Sequence, residues 1–218
     1  MPVIDSVSEL TPEKALIFRV THIDNVAWIL DHGLHCRASA LQDQNFVPIG
    51  NPDLIQERRR QRVPIAPGDT LDHYIPFYFT PCSMMLYNLR TGWNNMTRRT
   101  PAELVFFVAS LRSLQACGVP FVFADRHAFM RLARFSTSLN DLEHLAWRHW
   151  QQRDFRRDPN NPQKTERYQA ETLVHRHLAV ETIDAIVCGD DDATTRVTEM
   201  VSERGSQIEV HRRRQWFF

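Results

Sequence analysis

Apolar and polar positions change over in short runs along this chain, and those runs divide it into candidate strands separated by helix signals. Residues 16–21 alternate well enough for a strand. A helix pattern follows through Val26, Ile29 and Leu30, with Thr21 or Asp24 as its cap and Gly33 as a left-handed stop. Residues 36–52 read as loop, and Pro52 suits the first position of a second helix that ends in residues 63–69. Residues 74–79, Tyr-Ile-Pro-Phe-Tyr-Phe, give the strongest strand signal, and Pro76 inside them predicts an edge or a strand start. Met84, Met85, Leu86, Tyr87 and Leu89 begin a helix that Gly92 stops.

Farther on, residues 90–100 are polar and basic and read as a surface loop, and residues 104–108 as a buried strand. Ser110 caps a short helix ending near Gly118, and residues 121–123 form another strand. Residues 132–153 read as one helix, with Leu139, Leu142, Leu145, Ala146 and Trp150 at three- and four-residue spacing. Residues 154–164 form an exposed loop. Residues 183–188 predict a strand, 194–203 a helix and 208–210 a strand, with Trp216-Phe217-Phe218 closing on the body.

A length of 218 residues fits a single domain, 1–218, and 13 Phe with 5 Trp supply material for a core. The chain has 7 Gly against 12 Pro, and neither Gly-x-Gly-x-x-Gly nor a phosphate-loop Gly-Lys-Ser/Thr, which argues against a glycine-loop nucleotide fold. A net charge of zero implies no whole-molecule attraction to nucleic acid, yet the basic residues cluster locally. Cys36, Cys82, Cys117 and Cys188 are too far apart in sequence for a zinc or redox pair. With no secretory leader and no apolar run of membrane length, the expectation is a cytoplasmic protein with reduced thiols and no membrane contact.

Candidate chemistry centres on residues 167–174, Arg-Tyr-Gln-Ala-Glu-Thr-Leu-Val. An extended backbone there puts Gln169 and Glu171 on one side. A carboxylate and an amide at the edge of an apolar element stabilise a developing cation and grip a hydroxyl, which suits cleavage of a glycosidic bond. Alone, the pair describes a solvated helix face better. His22 and Asn25 sit at a strand-to-helix corner whose free N–H groups favour an anion or nucleotide, and they serve equally well as turn caps.

Residues 56–62 place four arginines within five positions; on a helix some are solvated, while one or two turn inward toward a phosphate or carboxylate. Tyr78 and Tyr87 belong to an aromatic stripe that reads as core and also offers stacking on a flat ring. Arg153, Arg156, Arg157, Lys164 and Arg167 form a basic segment suited to a phosphate backbone. His175 and His177 share a face, but no carboxylate cluster of metal-binding spacing accompanies them.

Six segments in order resemble the DarT family of DNA ADP-ribosyltransferase toxins. They are Thr21-His22-Ile23-Asp24-Asn25, Ile55-Gln56-Glu57-Arg58-Arg59, Pro76 to Pro81 with Ser83 and Met85-Leu86-Tyr87, Gly118 through Asp125-Arg126-His127, Ala133-Arg134-Phe135, and Gln169 to Val174. The resemblance implies an α+β fold, the ADP-ribosyltransferase-like split β-sheet with flanking helices and NAD in its cleft, working without a metal. It implies transfer of ADP-ribose from NAD to a base, thymine or guanine, in single-stranded DNA, and a macrodomain antitoxin as partner. Transfer to RNA or protein is the alternative within that fold, and a metal-dependent nuclease or nucleic-acid-binding module the alternative outside it.

The family's catalytic glutamate falls on Glu171, its motif arginine on Arg59 and a further active-site position on His127; His22, Asn25, Tyr78, Tyr87 and Gln169 complete the expected NAD site. Two departures stand out: Phe18-Arg19 where many relatives carry Tyr-His, and Cys82 where some carry Arg.

Overall fold

A computed structural model describes residues 3–218. In chain order the elements are β1 (Leu16–His22), α1 (Val26–His32), β2 (Leu34–His35), α2 (Pro52–Arg58), β3 (Tyr74–Tyr78), α3 (Met84–Thr91), β4 (Leu104–Ser110), α4 (Leu111–Ala116) and β5 (Phe121–Ala124). They continue with β6 (Phe135–Ser136), α5 (Trp147–Gln151), α6 (Lys164–Tyr168), β7 (Glu171–His175), β8 (His177–Leu178), β9 (Ala185–Cys188), α7 (Asp191–Glu203) and β10 (Glu209–Arg212). Eight strands form one sheet in the order β10-β9-β4-β1-β3-β7-β5-β6, and β2 pairs with β8 separately.

The sheet is split between β1 and β3. β1 pairs with β4 from Leu16↔Ser110 to His22↔Leu104, and β3 with β7 from Tyr74↔His175 to Tyr78↔Glu171, but β1 and β3 meet only at Phe18↔Tyr78. The α+β, split-sheet architecture expected from the sequence is therefore present. Pro76 sits in the middle of this sheet and not at its edge. Its carbonyl accepts from Arg19 Nη1 at 2.9 Å, so the side of Pro76 that lacks an N–H faces the open split, where no ladder bond is lost.

The main core covers both faces of the sheet, since every residue of β4 is buried and its successive side chains, Phe106 and Phe107 among them, point to opposite sides; Phe77, Phe79, Trp150 and Trp216 are almost wholly buried with them. Phe79 stacks on Trp150 with ring centroids 5.3 Å apart, and the Phe18 ring meets Trp216 edge-on. A smaller cluster of Val63, Leu71, Tyr74, Val122, Ala124, Ala128 and Leu173 surrounds β3, β7 and β5. Trp216 and Phe217 pack inside as expected, whereas Phe218 is exposed.

Local expectations are corrected in four places. Neither Thr21 nor Asp24 caps the first helix; the His22 ring accepts from the Asp24 N–H at 3.2 Å. Gly33 does end that helix, with φ 78° and ψ −176°, a region beyond the left-handed helical one. The helix expected over 132–153 is broken into β6, a 3-10 segment Leu139–His144 and the short α5. Its apolar spacing is satisfied instead by Leu142, Trp147 and Trp150, whose indole N–H groups donate to the carbonyls of Leu142 and Tyr168. Finally, the loop expected over 154–164 ends in α6, and Gln169 caps that helix, so Gln169 and Glu171 are not two positions of one strand.

Candidate active site

Glu171 opens β7, flanked by Tyr78 on β3 and Ala124 on β5. Its side chain is fully enclosed. Arg58 Nη1 and Nη2 donate to its two carboxylate oxygens at 3.0 Å each, and the Ala128 N–H donates to Oε1 at 2.7 Å. His127 Nδ1 stands 3.7 Å from the same oxygen. Burial pushes the Glu171 carboxyl up, but the charge of Arg58 and the hydrogen bonds from Arg58 and Ala128 outweigh it and hold the group below its usual range. Burial and the neighbouring Arg58 push His127 down against the pull of Glu171, so its ring is neutral at pH 7.

Arg58 reaches this position because Asn51 caps α2 through the Asp53 and Leu54 N–H groups and Pro52 starts the helix. Arg58 is the last residue of α2, one turn beyond Leu54 and Ile55, on the half-buried face. Arg59 lies a further 100° or so around the helix, and is exposed. The inward arginine is thus Arg58, the first of the run. Spacing alone does not separate the two, because Arg58 follows Leu54 and Arg59 follows Ile55 at the same i,i+4 distance; the choice is made by the packing of α2 on β7.

The other expected residues divide. Tyr78 lies at the floor beside Glu171, its phenol pushed up by burial and by the Glu171 charge, and its hydroxyl points to Met85 Sδ at 3.9 Å. His22 is buried as the corner cap, 3.9 Å from Glu103. Asn25 clamps the loop before α2, donating to the Val47 carbonyl and accepting from the Val47 N–H. Tyr87 packs in an aromatic cluster with Phe155 and Phe218. Gln169 turns to the Thr165 carbonyl. Cys82 is buried against Trp216, so that departure falls in the core.

In the basic segment, Lys164 is buried and tied to Asp154 at 2.6 Å, a structural pair and not a free cation. Arg156 also leans on Asp154 but is largely exposed, as are Arg157 and Arg167, while Arg153 is half-buried. Arg167 borders a cavity of about 780 Å³ that sequence reasoning missed, lined among others by Arg126, Arg134, Arg148, His144 and His149. Arg126 there is neutralised by Asp125 and Glu166, whereas Arg134 and Arg148 are exposed. β6 and α5, where the long helix was expected, bring these side chains together.

His175 and His177 do not converge: one faces Asp69 and the other the His32 carbonyl. Among the described residues no group of three or more His, Cys, Asp or Glu is placed to hold a metal ion. No helix among them is long and apolar enough to cross a membrane.

The family model described as DarT, ssDNA thymidine ADP-ribosyltransferase, matches residues 18–218. A DNA ADP-ribosyl transferase of Escherichia coli O127:H6 is 44% identical over 214 residues, covering 98% of each chain. The structure of Thermus sp. 2.9 DarT in complex with ADP-ribosylated ssDNA superposes with a TM-score of 0.85 at 29% identity, over 96% of this chain and 99% of that one. The same protein in complex with NAD+ gives 0.82, over 95% and 99%. Family model, relatives and fold agree, and the chain belongs to the DarT family of ssDNA ADP-ribosyltransferases.

Proposed function

We propose that this protein transfers ADP-ribose from NAD to a thymine base of single-stranded DNA, with Glu171 acting at the reacting sugar. The observation that carries this reading is the Glu171 carboxylate, kept ionised inside the protein by the Arg58 fork beside the split in the sheet. The thymidine named in the family description, and the NAD+ and ADP-ribosylated DNA bound by the Thermus relative, support the donor and acceptor.

In this reaction the bond from ribose C1′ to nicotinamide breaks, and nicotinamide leaves with the electron pair. Positive charge then builds on the sugar in the transition state, where a nearby carboxylate stabilises it more than it stabilises the ground state. A thymine ring nitrogen forms the new bond to C1′ and loses its proton. With Arg58 engaged, Glu171 is a weak base. If the fork lifts toward a substrate anion, burial alone pushes the carboxyl up, and Glu171 becomes a competent acceptor for that proton. Since the carboxylate is enclosed, lifting Arg58 is also what admits the substrate. Tyr78 and His127 complete the floor, and His22 and Asn25 shape the corner beside it.

The cavity lined by Arg134, Arg148 and Arg167 is the part of this reading that receives the DNA strand, with Arg153, Arg156 and Arg157 on the approach. A ring nitrogen inside a duplex is out of reach, so an unpaired base is required. A macrodomain antitoxin that removes the mark is the partner this activity calls for.

Mass spectrometry of short single-stranded DNA incubated with the protein and NAD tests the reading. An added ADP-ribose on thymine is expected. Unmodified strands across varied sequences would overturn it.

A further inference from the structure

His35 and His177 are direct partners across the two-stranded β2–β8 pair. Their ring centroids lie 4.4 Å apart, and both Nε2 atoms stand 3.0 Å from one oxygen, the His32 carbonyl at the end of α1. A carbonyl oxygen only accepts, so each Nε2 carries its ring's proton. On the other side of the His35 ring, Nδ1 meets Ser39 Oγ at 3.0 Å. Gly33 makes the approach possible, since a Cβ there would lie 2.6 Å from His177 Nε2. Beside the pair opens a cavity of about 420 Å³, lined also by Cys36, His73 and Arg176. Two carboxylates, Asp72 against His73 and Asp69 on Arg176, outnumber the permanent cation Arg176, so these surroundings favour a positive ligand.

Two imidazole nitrogens and a carbonyl oxygen thus converge, each nitrogen at 3.0 Å from the oxygen. Ligand atoms about 2.0–2.1 Å from a tetrahedral cation stand about 3.3 Å from one another, so a small outward shift opens a coordination site. We propose that His35, His177 and the His32 carbonyl form a site for one divalent cation of the zinc class, with water from the cavity completing its sphere. Nitrogen donors select Zn2+, Ni2+ or Cu2+ over Mg2+ or Ca2+. On binding, each ring passes its proton from Nε2 to Nδ1 and turns the freed Nε2 lone pair to the metal. Ser39 Oγ is placed to accept the new Nδ1–H of His35, the kind of outer bond that fixes a ligating imidazole. The site lies beyond the end of β7 opposite Glu171. Its ion braces the end of α1 against β2 and β8 and takes no part in ADP-ribose transfer.

Calorimetric titration of zinc chloride into the chelator-treated parent, His35→Gln, His177→Gln and Ser39→Ala proteins tests the site, with magnesium chloride as the control and thermal melting alongside. The parent is expected to bind one Zn2+ here, to ignore Mg2+, and to melt higher as zinc is added. Either glutamine variant is expected to lose both the binding and the zinc-dependent rise. Ser39→Ala, which leaves both rings in place, is expected to weaken binding by ~10-fold or more, and it carries the test where a glutamine variant melts too low to titrate. Nitrogen NMR of the parent is expected to show the proton of both rings move from Nε2 to Nδ1 with zinc. No zinc binding by the parent, or binding and melting response unchanged in the variants, overturns the site. Transfer of ADP-ribose by the chelator-treated parent is expected to match that of the zinc-loaded protein; a rate that depends on zinc overturns the bracing role.

Discussion

Arg58 and Glu171, 113 positions apart in sequence, meet through two parallel hydrogen bonds of 3.0 Å, one to each carboxylate oxygen. The pair joins the end of α2 to the start of β7 and encloses a charge that neither element holds alone. Arg58→Ala leaves Glu171 buried beside the neutral His127, and removing one partner of such a pair typically costs ~3–5 kcal/mol. Urea unfolding is expected to show a loss of that order, with loss of ADP-ribose transfer. Arg59→Ala, on the exposed side, is expected to change stability by about 0.5 kcal/mol or less. Equal effects of the two substitutions would refute the assignment.

The same centre sets a pH dependence. His127 has a depressed pKa when folded, so the unfolded chain binds its proton first, and stability falls as pH drops below the ordinary histidine value of about 6.5. Glu171 also has a depressed pKa, so its contribution is present above the ordinary glutamate value of about 4.3 and is lost as pH falls through the lower folded value. Both act in the same direction. His127→Asn is expected to flatten the stability profile relative to the parent just below pH 6.5 and leave the more acidic limb. A parallel profile in the variant would contradict the neutral, buried ring.

Arg134 and Arg148 are expected to serve DNA and not NAD. Their alanine variants should raise the KM for the strand and leave the KM for NAD unchanged. The salt slope of strand binding should shrink by about 0.7 for each phosphate that is no longer neutralised. Lys164→Ala is expected to lower the melting temperature instead, because Lys164 is committed to Asp154. Filter binding over a series of salt concentrations separates the two outcomes; an unchanged slope in the Arg134 and Arg148 variants would remove the cavity from the DNA path.

Gly33 turns the chain from α1 into β2. A Cβ there would lie 2.5 Å from the Leu178 carbonyl and 2.6 Å from His177 Nε2, at a backbone conformation open essentially to glycine alone. Gly33→Ala is expected to cost about 3 kcal/mol. Gly205→Ala, also at positive φ but facing open space, is expected to cost about 1 kcal/mol. Chemical denaturation that ranked them the other way would contradict the packing of β8 on this turn.

Much of the strand framework was legible because each strand is short, apolar and bounded by clear stops, as where Phe121 to Ala124 precede the polar Asp125-Arg126-His127. The helix from Met84 to Leu89 was legible in the same way, between Ser83 and Gly92. Pro76 misled because its missing N–H matters only where a neighbouring strand needs it, and the split that excuses it is a property of the whole sheet. Residues 132–153 misled because apolar spacing is shared by a helix and by a chain whose indoles are drawn into a distant core. Glu171 was legible as a candidate, with the family motifs, but that Arg58 is the arginine that pairs with it was not, since the pairing depends on how α2 meets β7. The cavity was invisible in the sequence, since Arg134, Arg148 and Arg167 converge only through tertiary packing.

The central claim is that the enclosed Glu171 carboxylate acts on the sugar after the donor binds. Single-turnover transfer from NAD to a single-stranded oligonucleotide, measured for the parent and Glu171→Gln with NAD binding followed in parallel, tests it most directly. The account predicts that Glu171→Gln still folds and binds NAD but transfers at least ~100-fold more slowly, as when an electrostatic group of the transition state is removed. Transfer at the parental rate by the folded variant would contradict it.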